Sequence, residues 1–145
     1  MRTIGANGVG RINIEFEIAN SEDLVRAKDG TLPRNKVRRA TVSGIVDPGA
    51  AMLVLPESIA KQLGLPRGKT VKVRYADGRR AQRREAKAAL IKILGREDIF
   101  TAVVEPKRSD ALIGAIVLEA LDLLVDCKHQ RLIPRDPSGP VYEIE

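Results

Sequence analysis

Apolar and polar residues alternate most cleanly in "RINIEFEIA". Ile12, Ile14, Phe16 and Ile18 fall on one face, and Asn13, Glu15 and Glu17 on the other. That is the two-residue period of a half-buried strand. The polar stretch "NSEDLVRAKDGTLPRNK" follows, with Gly30 and Pro33. It predicts a long loop or excursion with a helical turn near Ser21 to Ala27. "VRRATVSGIV" reads as a second strand, running into Asp47 and the Pro48-Gly49 turn. "AAMLVL" is a short buried strand by the same reasoning. "PESIAKQLGL" predicts a short helix with Pro56 in its first turn, Ile59 and Leu63 on one face and Gly64 at its C-terminal cap.

The second half begins with a hairpin pattern, "TVKVRYADGRRAQRREAKAALIKIL". Val71, Val73 and Tyr75 alternate with Lys72 and Arg74, and Asp77-Gly78 is a favoured tight-turn pair. "DIFTAVVE" predicts another strand. "ALIGAIVLEALDLLVD" predicts a strand end, a glycine turn and about two apolar helical turns buried nearly all round. "LLVD" and "RLIP" read as strands joined by the "CKHQ" turn, and "PVYEI" as a last strand. Many short strands and two short helices predict a mainly β, closed or sandwich-like fold. No repeat or linker divides the 145 residues, so we expect one domain over residues 1–145, with its core at about 10–134.

Composition narrows the chemistry. Aromatic residues make up 3% of the chain and Trp is absent, so the core must be largely aliphatic. The single Cys, Cys127, excludes an intramolecular disulfide and points to a reducing, cytoplasmic setting. No apolar run approaches the length of a membrane span, and the N-terminal "MRTIGANGVGRINIEF" lacks the continuous apolar region of a signal peptide. One His and one Cys cannot build a His/Cys metal site within one chain, and they argue against Ser-His or Cys-His nucleophiles. No metal or other cofactor is expected, and His129 reads as a solvated turn residue. Carboxylates remain as catalytic groups. The net charge of +6 and the Arg79, Arg80, Arg83 and Arg84 cluster permit contact with nucleic acid. A solvated hairpin explains that cluster better, and base-stacking residues are few, so no nucleic-acid partner is expected.

The segment "IVDPGAAMLVLPESIAKQLGL" carries one carboxylate into a tight turn between two apolar runs. On its residues alone, Asp47 is either a turn carboxylate accepting N–H bonds or a catalytic group. The segment resembles the active-site motif of retroviral-type (retropepsin-like) aspartic proteases: two apolar residues, then Asp-Thr/Ser-Gly-Ala. "ALIGAIVLEALDLLVD", with Leu112, Ile113 and Gly114, looks like that family's second signature. The "YADGR" hairpin, Tyr75, Ala76, Asp77 and Gly78, falls where the family places its flap. On the residues alone, Tyr75 fits hairpin packing as well as a substrate-facing role, and Asp77 and Gly78 fit turn formation.

The resemblance implies a single acid-protease domain with Asp47 as catalytic residue and Pro48, Gly49 and Ala50 completing its turn. Gly49 would let the backbone turn and approach its symmetry mate. Because the chain holds one such Asp motif, it implies a homodimer whose two Asp47 groups activate water against a peptide or protein substrate. The sequence departs from the pattern at Pro48, which replaces the usual hydroxyl residue. Ala51 and Ala115 stand where retroviral enzymes often place an acid–arginine pair. The alternative is therefore a catalytically degenerate peptide-binding or scaffolding domain of the same fold.

Overall fold

A computed structural model describes residues 11–145. The expectation of no signal peptide rests largely on residues outside that range. The strands are β1 (Ile12–Asn20), β2 (Arg39–Val46), β3 (Leu53–Pro56), β4 (Arg67–Arg74), β5 (Arg80–Ile93), β6 (Arg96–Glu105), β7 (Ala111–Ile113), β8 (Leu123–Asp126) and β9 (Arg131–Pro134). The helices are α1 (Ser21–Lys28), α2 (Glu57–Gln62) and α3 (Ala115–Leu121). The main sheet runs β1-β2-β7-β3-β6-β5-β4, and β1 also pairs with β5. That extra pairing closes six strands into a barrel and leaves β4 outside, paired among the described strands with β5 alone. Closure removes the free edges of the six.

Strand β5 makes the closure possible by serving two partners. Its first half pairs with β4 from Arg80 to Ala86, and its second half pairs with β1 from Ala89 to Lys92. Between them the register against β6 shifts, and Ala88 takes a left-handed φ of 64°. This bulge bends the strand from the barrel wall out into the hairpin. The core is aliphatic apart from Phe16 and Phe100, and its buried residues run from Ile12 to Leu132. The alternation in β1 holds, with Ile12, Phe16 and Ile18 buried.

Four expectations are corrected. The described residues form three short α-helices rather than two: Asn20 caps α1, its side-chain oxygen accepting from the Glu22 and Asp23 N–H groups at 2.9 and 3.1 Å. Pro56 ends β3 and stands just before α2, with extended ψ of 143°, rather than in the helix's first turn. Helix α3 is not buried all round, since Ile116 and Glu119 are exposed. "PVYEI" forms no strand. Its backbone is occupied instead by side chains: the Val141 N–H donates to Asp122 at 2.9 Å, and Arg135 donates to the Val141 carbonyl at 2.7 Å. "LLVD" and "RLIP" do pair, as β8 and β9. His129 is exposed in the turn between them, its Nδ1 2.9 Å from Asp126.

The excursion after β1 is anchored to the barrel. Asp23, 2% exposed, accepts from the Arg38 N–H at 3.0 Å, from its Nε at 2.8 Å and from its Nη2 at 3.0 Å. The Asn20 amide donates to the Leu63 carbonyl at 2.9 Å, tying the start of α1 to the end of α2. The hydrogen bonds to Arg38 outweigh the cost of burial and hold the Asp23 carboxyl below its usual range.

Candidate active site

Asp47 follows the last residue of β2, where the parallel ladder with β7 continues one step: the Asp47 N–H donates to the Ile113 carbonyl at 3.0 Å. The Ala50 N–H donates back to the Asp47 carbonyl at 3.0 Å and closes a four-residue turn. Pro48 occupies the second position of that turn, which its fixed φ favours. The turn therefore tolerates proline, and Pro48 is exposed. The Gly49 N–H donates to Asp47 Oδ1 at 2.9 Å, which aims the carboxylate. Gly49 does not have a left-handed φ, contrary to the expectation that it frees the backbone to turn. Its effect is local space: a Cβ there would sit 3.2 Å from Asp47 Oδ1.

The two signature segments meet at backbone level. The Ala115 and Ile116 N–H groups, at the start of α3, donate to the Ala50 and Ala51 carbonyls at 2.7 and 3.0 Å. These bonds satisfy donors that a helix start leaves free. Gly114 is pressed between them: a Cβ there would lie 2.3 Å from the Met52 carbonyl oxygen and 2.7 Å from that of Ala50. No larger residue fits. Ile113 is fully buried beneath the turn. The places of the expected acid–arginine pair, Ala51 and Ala115, lie in this junction and leave no charge to compensate.

Above the Asp47 turn stands the β4–β5 hairpin. Its tip is closed by bonds from the Gly78 N–H to the Tyr75 carbonyl at 2.9 Å and from the Tyr75 N–H to the Arg79 carbonyl at 2.8 Å. Gly78 has φ of 89°, a value that favours glycine. Asp77 accepts from the Arg79 N–H at 3.0 Å and from its Nε at 2.7 Å, so it and Gly78 form the turn.

Between hairpin and turn lies a cleft of about 540 Å³. Of the residues singled out in the sequence, Asp47, Gly49, Ala50, Tyr75, Ala76 and Leu112 line it. Pro48, Asp77, Gly78, Ile113 and Gly114 do not; they shape the turn, the tip and the support. Met52, Val54 and Val103 supply an apolar wall that the sequence reading did not assign to the site.

Glu105 was also missed. It ends β6 and lines the same cleft. Its carboxylate accepts from the Tyr75 hydroxyl at 2.5 Å and from Arg83 Nε at 2.7 Å. Burial pushes the Glu105 carboxyl up, but the Tyr75 and Arg83 bonds prevail and hold it below its usual range. The same contact raises the Tyr75 phenol. A signal was present: "VVEP" repeats the pattern of "IVDP", an apolar run ending in a carboxylate before proline. Among the described residues, no three His, Cys, Asp or Glu side chains are grouped to hold a metal.

The family model described as "gag-polyprotein putative aspartyl protease" matches residues 34–120, more than half of the chain. The chain belongs to this retroviral-type aspartyl protease family. The matched span contains the Asp47 segment, the hairpin and Leu112, Ile113 and Gly114 of the second signature, and the closed mainly β barrel is the retropepsin-like fold. Among solved structures, EIAV protease complexed with the inhibitor HBY-793 is similar at 20% identity, over 56% of this chain and 77% of that chain, with a TM-score of 0.46. No curated protein matches the chain. Among the described residues, no helix is long and apolar enough to cross a membrane.

Proposed function

We propose that this retropepsin-like chain is an aspartic endopeptidase in which Asp47 of two identical subunits forms the catalytic dyad. One observation carries the reading. The cleft of a single chain contains two carboxylates, Asp47 and Glu105, and Glu105 is engaged by Tyr75 and Arg83. Among the described residues, no other free carboxylate lines the cleft to share a proton with Asp47, and a two-fold axis beside its turn would supply one.

In that dimer the two carboxylates hold one proton, because like charges so close do not both ionise. The ionised member takes a proton from a water as its oxygen attacks the peptide carbonyl. The protonated member donates to the carbonyl oxygen. Collapse of the tetrahedral gem-diol breaks the C–N bond: the proton held by the dyad passes to the leaving amine, and one gem-diol hydroxyl returns its proton to the dyad as the C=O re-forms. The Gly49 N–H orients Asp47, the apolar wall of Met52, Val54 and Val103 receives a substrate side chain, and the hairpin acts as the flap. Cleavage of a peptide library by the purified chain, abolished in Asp47→Asn, tests this. Equal cleavage by wild type and Asp47→Asn, or none by wild type from acid to neutral pH, overturns it.

A second reading, a non-catalytic peptide-binding domain, draws on Pro48. That residue offers neither the hydroxyl nor the N–H with which this turn would bond its counterpart across a dimer. Peptide binding without cleavage would favour it.

A further inference from the structure

The cleft does not stop at Tyr75. A second hollow of about 350 Å³ continues past it, lined by Tyr75, Arg79, Arg83, Glu105, Lys107 and Arg108, with Pro106 beside them. Tyr75, Glu105 and Arg108 line both spaces, so the two are contiguous. The second is cationic. Glu105 compensates Arg83 at 2.7 Å, and Asp77 compensates Arg79 at 2.7 Å. Among the described residues, no carboxylate forms an ion pair with Lys107 or Arg108. The Arg108 Nε donates to the Asp110 carbonyl at 2.7 Å, which fixes the direction of its guanidinium. The hollow thus carries an excess of positive charge at the end of a cleft whose wall of Met52, Val54 and Val103 is apolar and whose lining also includes Lys72 and Arg74.

We infer that this hollow is a substrate subsite for an acidic side chain, so that the chain recognises peptides with Asp or Glu near the bond placed at Asp47. The inference rests on the proposed peptide-binding role of the cleft. A carboxylate entering past Tyr75 would meet Arg108, oriented and partly buried, and the exposed Lys107. Guanidinium–carboxylate pairing supplies both energy and direction. Glu105 also feels the charge of Arg108, but its hydrogen bonds go to Tyr75 and Arg83, which leaves the Arg108 guanidinium without a carboxylate bound to it. The long basic run of the hairpin is also accounted for in part: Arg79 and Arg83 frame the hollow.

The test uses binding, so that it does not depend on catalysis. Members of a positional-scanning peptide library carrying Glu, or Gln at the same place, are titrated against the full Asp47→Asn chain at low salt. At one position the Glu peptide should bind about fivefold more tightly, the upper end for a partly exposed ion pair. The preference should shrink in high salt, vanish in Lys107→Gln/Arg108→Gln, and partly survive in Arg108→Lys. Equal binding of Glu and Gln peptides at every position overturns the inference. So does a preference that persists in the double variant, no binding of either peptide, or displacement of the peptide by an oligonucleotide that binds more tightly. A Glu preference in a wild-type chain that cleaves nothing leaves the subsite standing and counts against the protease reading alone.

Discussion

Replacing Glu105 by Gln should loosen the hairpin that covers Asp47. The Glu105 side chain is 15% exposed and that of Arg83 is 28% exposed, so water partly reaches the pair. Gln keeps the shape but has one accepting oxygen: placed toward Arg83 Nε, it leaves an amide NH2 facing the Tyr75 hydroxyl, which must turn to accept, and both contacts lose their charge assistance. Charge-assisted bonds are roughly twice as strong as neutral ones, which gives a loss of about 1–2 kcal/mol. For a chain of this size that is a fall in Tm of roughly 3–7 °C. Tyr75→Phe removes one of the two donors and should cost about 1 kcal/mol. Because the two residues share one bond, the double variant should be less destabilised than the sum of the singles.

The effect should depend on pH in one direction. The Glu105 carboxyl lies below its usual range in the folded chain. Its ionic contribution is therefore full above the ordinary carboxyl range, about pH 4, and is lost as pH falls through the lowered folded value. Urea denaturation of wild type, Glu105→Gln, Tyr75→Phe and the double variant measures all of this. The gap between wild type and Glu105→Gln should narrow in strongly acid solution. Strict additivity near neutral pH, or a gap that stays constant into acid, refutes the role assigned to Glu105.

Other variants test other parts of the account. Gly114→Ala places a methyl group against the Met52 and Ala50 carbonyl oxygens and should cost about 3 kcal/mol or prevent folding; an unchanged Tm shows that the two signature loops are not so closely packed. Asp23→Asn breaks the charged contact with Arg38 and should cost about 2–3 kcal/mol near neutral pH. Asp23 too is held below its usual range, so this loss should fade as pH falls through that lowered value, and urea denaturation at two pH values decides it. Pro48→Thr restores a hydroxyl at the proposed dimer junction and should tighten self-association about tenfold, read by analytical ultracentrifugation. An unchanged dimer Kd means that the two turns do not meet.

What could be read in advance depended on whether a pattern was local. β1 was legible because its alternation requires only its own residues, and β8 and β9 because four residues separate two matched apolar runs. "PVYEI" has a similar alternation but no edge to join: Asp122 and Arg135 take its backbone groups. Helix α1 was underread because few of its positions are apolar, although Asn20 before Glu22 and Asp23 is a recognisable helix start. At the site, Asp47, Gly114 and the hairpin were legible as a motif order. The Tyr75–Glu105–Arg83 contact was not. Thirty residues separate Tyr75 from Glu105, and the register that joins them is set by a bulge near Ala88 that no periodicity announces.

The most direct test of the dyad is a crystal structure of the assembled protein, read at one distance. The account predicts a two-fold dimer in which the Asp47 carboxylates of the two subunits lie about 3 Å apart, close enough to share a proton. A monomer, or a dimer whose Asp47 groups open into separate clefts, contradicts it.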